Sequence, residues 1–113
     1  MPRGDVLDVD LPIVPGSRVQ GGRRPAVLLL TEEAARGNPV VTVVPVTGTV
    51  EAIRFQFTFQ IAPSPANGLT APSVALVFQV MAIDRTAIAR RRGHLEDEYI
   101  AQLEATLRQM FGL

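Results

Sequence analysis

The residues of this 113-residue chain best suited to phosphate chemistry are Arg24 and Thr47. Arg24 precedes one apolar run, Pro25 to Leu30, and Thr47 follows another, Val40 to Val46. If those runs are antiparallel neighbouring strands joined by the 31–39 link, the two residues face each other at one sheet end, roughly 5 Å apart. Beside them lies Gly16-Ser-Arg-Val-Gln-Gly-Gly-Arg23, whose Gly21 and Gly22 would let backbone N–H groups approach an anion closely. A guanidinium fork, a hydroxyl and free amides at one rim suit a phosphate. The same spacing also fits a bland account, with Thr47 a strand-end turn residue and Arg24 a surface charge.

Other chemistry-bearing groups are sparser. Asp8 and Asp10 lie two residues apart on one strand face, roughly 7 Å from each other, a spacing that serves acid-base or metal work or simply a solvated face. Arg85, Arg90, Arg91 and Arg92 carry four positive charges with no acid between them, and Glu96, Asp97 and Glu98 follow at once. They form either a basic patch for a nucleic-acid backbone or a patch neutralised by those acids. Gln79, inside an apolar run, must satisfy its amide, as an internal strut or on the floor of a cleft. His94 reads as a surface residue before a helix. With no Cys and this single His, thiolate nucleophiles, disulfides and the usual zinc sites are excluded, and no metal or other cofactor is expected. All eleven basic residues are Arg against eleven acids, so an anion must be held by a local arrangement of charge and not by the net field.

These positions require a scaffold, and the apolar periodicity supplies one. The length and a 47% apolar composition suit one domain spanning residues 1–113. Residues 6–11 alternate as a half-buried strand with Asp8 and Asp10 on the wet side. Residues 15–24 read as a mobile loop, and 25–30 and 40–46 as buried strands. Thr31 caps a short helix ending at Gly37. Ile53, Phe55, Phe57, Phe59 and Ile61 line one face of a regular strand whose other face carries Arg54, Gln56, Thr58 and Gln60. Residues 73–83 read as a strand covered on both faces, and 84–92 as an irregular or one-turn helical link. Leu95, Tyr99, Leu103, Leu107 and Met110 form the stripe of a terminal amphipathic helix, acidic at its start and followed by Gly112. The expected fold is mainly β (α+β), a small antiparallel barrel with a short internal helix and a C-terminal helix. No apolar run is long enough to cross a membrane, and the start of the chain has no signal-like apolar segment, so the expected compartment is cytoplasmic.

Gly4-Asp5-Val-Leu-Asp-Val-Asp-Leu-Pro12, Gly16-Ser17, Gln20-Gly-Gly, Arg24-Pro25-Ala-Val-Leu, Val44-Pro-Val-Thr47, Gly68-Leu69, Ser73-Val-Ala-Leu, Gln79-Val and Ile83-Asp84, in this order and spacing, resemble the MazF/PemK toxins of toxin–antitoxin systems. The resemblance covers nearly the whole chain. It implies an SH3-like barrel, a homodimer, and a metal-independent, sequence-specific endoribonuclease that cleaves single-stranded RNA, restrained by a cognate antitoxin. It implies catalytic roles for Arg24 and Thr47 and RNA contacts for Ser17, Gln20, Gly21, Gly22 and Gln79. On the wet strand face, Gln56 and Thr58 are positioned to read unstacked bases, or are simply solvated. Where the family often has Gly-Ser-Glu-Gln, this chain has Gly16-Ser-Arg-Val-Gln20, one residue longer and without the acid. Two further readings stay open. One is a non-enzymatic toxin on the same fold, of the CcdB kind that poisons gyrase through its C-terminal residues; the other is a degenerate homologue that only binds an antitoxin.

Overall fold

In a computed structural model that describes residues 1–113, three segments carrying apolar runs form the centre of one sheet: β1 (Asp5–Leu11), β2 (Gly22–Leu28) and β3 (Val40–Thr47). They are antiparallel neighbours. Their side chains alternate between two apolar layers. Val6, Val27, Val44 and Val46 enter one layer, while Leu7, Val9, Leu11, Ala26, Leu28, Val41 and Val43 enter the other. β1 is therefore covered on both faces and not half-buried, because its outer edge is also paired.

β4 (Thr58–Ile61), β5 (Ser73–Leu76), β6 (Met81–Asp84) and β7 (Ile88–His94) complete the sheet, whose order is β4-β5-β3-β2-β1-β7. The C-terminal end of β3 pairs with β5 and its N-terminal half with β6. β3 thus serves both ends of the cleft described below. β4 and β7 end the order without pairing to each other, so the sheet is antiparallel and mainly β as expected, but its barrel is not closed. Thr31 caps α1 (Glu32–Gly37) by accepting the Ala34 amide through its hydroxyl. α2 (Asp97–Phe111) buries Leu103, half-buries Tyr99, Leu107 and Met110, and ends on Gly112 in the left-handed conformation. Tyr99 stacks on Phe59 and accepts the Ala62 amide through its hydroxyl, tying the helix to β4.

Four elements depart from the periodicity. The 53–61 strand is cut: residues 50–54 form a 3-10 turn, Phe57 takes a positive φ of 60°, and only Thr58–Ile61 is strand. The 73–83 run is interrupted by a 3-10 turn at Val77–Gln79 between β5 and β6. The loop read as ending at Arg24 ends earlier, because Gly22, Arg23 and Arg24 already pair with β1.

The fourth departure is β7, which replaces the expected irregular link with an edge strand pairing along β1. Its arginines disguise it as a link, and β1 explains them. Arg90 and Arg92 donate to Asp8 at 2.7 and 3.2 Å, and Arg91 lies 3.2 Å from Asp5. His94 Nδ1 is 2.8 Å from the other Asp5 oxygen, which makes His94 a structural partner of a buried acid. Arg90, Arg91 and Arg92 are thus neutralised by β1 and not by the first turn of α2, while Arg85 donates to the Asn38 carbonyl. Asp8 and Asp10 do not act as a pair either. Asp10 is exposed and bonded to Arg23, whose hydrogen bond holds its carboxyl below the usual carboxylate range.

Removing a buried carboxylate strands its cations, whereas removing an exposed one does not. Asp8→Ala is expected to lower unfolding stability by about 2–3 kcal/mol, short of a fully sealed pair because Arg90 is solvated, as measured by urea denaturation. Asp10→Ala is expected to leave the midpoint unchanged.

Candidate functional site

The β2–β3 register sets Ala26 opposite Pro45, Val27 opposite Val44 and Leu28 opposite Val43. Continued by two residues, it puts Arg24 opposite Thr47. The pairing itself ends at Ala26 and Pro45; in the extended register Arg24 and Thr47 share the face of those two residues at one sheet end. Thr47 is buried, and its hydroxyl accepts the Thr49 amide at 3.2 Å, fixing the turn that follows β3. Arg24 is half-buried. Its Nε donates to the Gly21 carbonyl at 3.0 Å and its Nη1 to the Gln20 side-chain oxygen.

Gln20 is in turn held from across the cleft. Its amide donates to the Gln79 side-chain oxygen at 2.9 Å, and the Gln79 amide group donates to the Arg18 carbonyl at 3.4 Å. Gln79 is thus an internal strut and a cleft-floor residue at once, because the 3-10 turn between β5 and β6 swings it under the loop. Arg24, Gln20 and Gln79 form one chain of hydrogen bonds with no carboxylate in it.

A cleft of about 700 Å3 opens above this chain, lined by Gln20, Thr47, Gln79, Arg18, Arg54, Phe55, Phe78 and several apolar residues. Two arginines and no acid face it. Arg18, Arg24 and Arg54 form no ion pair; the paired arginines are Arg3, Arg23, Arg90, Arg91 and Arg92. No three His, Cys, Asp or Glu side chains converge anywhere to hold a metal ion.

Both glycines are required by the backbone. A Cβ on Gly21 would come within 2.7 Å of the Pro12 carbonyl, so only glycine lets the loop pass there. Gly22 needs its positive φ of 83° to start β2 opposite Leu11. Ser17 sits away from the cleft and accepts the Val19 amide through its hydroxyl, shaping the loop. Gln56 and Thr58 are not brought to the cleft: they border a separate depression with Thr106 and Gln109, and the Thr58 hydroxyl donates to the Phe55 carbonyl at 2.8 Å. Arg18, Arg54, Phe55 and Phe78 were missed from sequence because Phe55 and Phe78 fall within apolar patterns that read as buried strand.

The structure is a small β-rich protein whose open, bent antiparallel sheet carries an acid-free cleft lined by two arginines. Residues 2–111 match the model of the PemK-like, MazF-like toxins of type II toxin–antitoxin systems. The chain is 29% identical over 113 residues to an endoribonuclease MazF of Staphylococcus saprophyticus, covering all of this chain and 92% of that one. Its fold is similar to the crystal structure of MazF from Deinococcus radiodurans, with a TM-score of 0.80 at 21% identity, covering all of this chain and 97% of that chain. It is also similar to a mycobacterial endoribonuclease in complex with its cognate antitoxin, with a TM-score of 0.76 at 18% identity, covering all of this chain and 96% of that one. The chain belongs to the PemK-like, MazF-like toxin family. No helix is long and apolar enough to cross a membrane.

The Gln79 strut can be tested without any substrate. Gln79→Ala is expected to leave thermal stability unchanged, while the Gln20 amide loses its hydrogen-exchange protection and tryptic cleavage after Arg18 accelerates. Unaltered exchange at Gln20 would show that the loop holds itself.

Proposed function

We propose that the chain is a single-domain, metal-independent endoribonuclease toxin that cleaves single-stranded RNA in the cytoplasm, acts as a homodimer and is neutralised by a cognate antitoxin. What supports this reading is an acid-free cleft lined by Thr47, Arg18 and Arg54, with Arg24 linked to it through its hydrogen bond to Gln20 and near Thr47 in the extended β2–β3 register. The endoribonuclease name of the staphylococcal relative and the antitoxin complex of the mycobacterial one support it.

The chemistry is the one that the resemblance to the family implies. The RNA 2′-hydroxyl oxygen bonds to the adjacent phosphorus as the bond to the 5′-oxygen breaks, leaving a 2′,3′-cyclic phosphate and a 5′-hydroxyl. Negative charge grows on the phosphoryl oxygens, and a preorganised guanidinium and hydroxyl stabilise it. A guanidinium stays charged at working pH, so Arg24 acts as anion stabiliser and not as base. No carboxylate or imidazole lines the cleft, so solvent takes the proton from the 2′-hydroxyl and returns one to the 5′-oxygen. Gln20 and Gln79 hold Arg24 in place and offer amide groups to bases; Ser17, Gly21 and Gly22 shape the loop that carries Gln20. In this reading Gln56 and Thr58 contact RNA only where a strand extends past the cleft. A gyrase-poisoning toxin, the competing reading, has in its favour the exposed Phe111 and Leu113 at the chain end.

Arg24→Ala is expected to abolish cleavage of single-stranded RNA in EDTA with an unchanged melting temperature, and Thr47→Ala to slow it on the order of a hundredfold. DNA of the same sequence should remain intact for want of the 2′-hydroxyl. Undiminished cleavage by the Arg24 variant would overturn its role. Toxicity lost on deleting residues 111–113 with RNA cleavage retained would favour gyrase.

A further inference from the structure

Two phenylalanine rings line the cleft without being buried in it: Phe55 is 46% exposed and Phe78 40%. Their centroids are 5.6 Å apart with planes tilted by 53°, so they form an open corner and not a closed stack. The Arg54 guanidinium lies 4.7 Å from the Phe55 ring centre.

This corner is built at the expense of regular strand. Along the sequence Phe55, Phe57 and Phe59 belong to one stripe, yet only Phe59 is buried. Phe57 adopts a φ of 60°, a region that L side chains rarely occupy, and packs half-buried against the core. Its carbonyl accepts the Phe78 amide at 3.3 Å. The bend therefore turns Phe55 outward and fixes the backbone of Phe78 beside it. Rare backbone geometry that holds two apolar rings in water is a signature of a binding site.

The chemistry of the occupant can be read from the same wall. Two aromatic faces favour a flat π-system, and Arg18 and Arg54, with no opposing acid, favour an anion. A nucleotide of a single strand has both features in one residue. We propose that Phe55 and Phe78, with Arg54, form a base-stacking subsite that takes one unstacked base of the RNA next to the phosphate held by Arg24 and Thr47. This rests on the endoribonuclease reading for the identity of the strand. Stacking selects no base by hydrogen bonding, so the subsite sets affinity, while Gln20 and Gln79 are left to discriminate.

The chain has no Trp, so Phe55→Trp introduces a single indole reporter at the corner. A mixed-sequence RNA pool carrying 2′-fluoro groups cannot react and serves as probe. Its addition is expected to quench the indole. Phe78→Ala is expected to bind this pool roughly tenfold to a hundredfold more weakly with an unchanged melting temperature, and to raise KM for unmodified RNA more than it lowers kcat. Removing a base at one position of the strand should cost wild type a similar factor and cost the Phe78→Ala protein little more. No quenching by RNA, quenching by an acidic peptide alone, or unaltered binding by Phe78→Ala would overturn the subsite. Quenching by RNA in a protein that never cleaves it would keep the subsite and reject the ribonuclease. Cleavage with KM unchanged in Phe78→Ala would do the reverse.

Discussion

β2 can occupy only one register between its neighbours, and the rest of the structure follows from that. Val27 belongs to one apolar layer and Ala26 and Leu28 to the other, so a slip of one residue would exchange all three and turn every side chain to the opposite face. The layers themselves are shared: β1 and β3 alternate into the same two, and α2 closes the first of them with Leu103. Apolar burial far from the cleft is thus what sets Arg24 opposite Thr47. The loop beside this sheet end contributes the Gln20 link to Arg24 and Gln79.

Charge is distributed by the same logic. The chain is neutral overall, with as many arginines as acids. β1 carries Asp5 and Asp8 into the interior, where the β7 arginines reach in to pair with them and His94 Nδ1 lies within hydrogen-bonding distance of Asp5. Asp10 holds Arg23, and Glu104 holds Arg3. These pairings leave Arg18, Arg24 and Arg54 without acids around one cleft. A neutral protein thereby gains a local positive field at the cleft without the indiscriminate binding that a high net charge would bring.

How much of this was legible in the sequence depended on which forces the sequence records. The antiparallel β2–β3 pairing was legible because two apolar runs joined by a short link fix a direction and a register. α2 was legible from its stripe, and α1 from Thr31 and Gly37. β7 was not, since three consecutive arginines suggest solvent until one knows that buried carboxylates lie on the neighbouring strand. Phe55 and Phe78 were not, because alternation and apolar runs describe faces only while the strand continues. The interruptions at Phe57 and at Val77–Gln79 come from tertiary demands that local pattern does not carry. Nor did the spacing reveal an open barrel, since closure depends on whether β4 meets β7. Gln56 shows the same limit: the bend at Phe57 takes it out of the strand, while Thr58 opens β4, and both border a depression separate from the cleft.

The central claim is that a sheet end bearing a guanidinium and a hydroxyl, with no metal and no His, performs transesterification at phosphorus. End-group analysis of a defined single-stranded RNA incubated with the purified protein in EDTA tests it most directly, by mass spectrometry of the fragments. The account expects 2′,3′-cyclic phosphate on every upstream fragment and 5′-hydroxyl on every downstream one. Fragments ending in 3′-hydroxyl and beginning with 5′-phosphate, or RNA left whole, would contradict it.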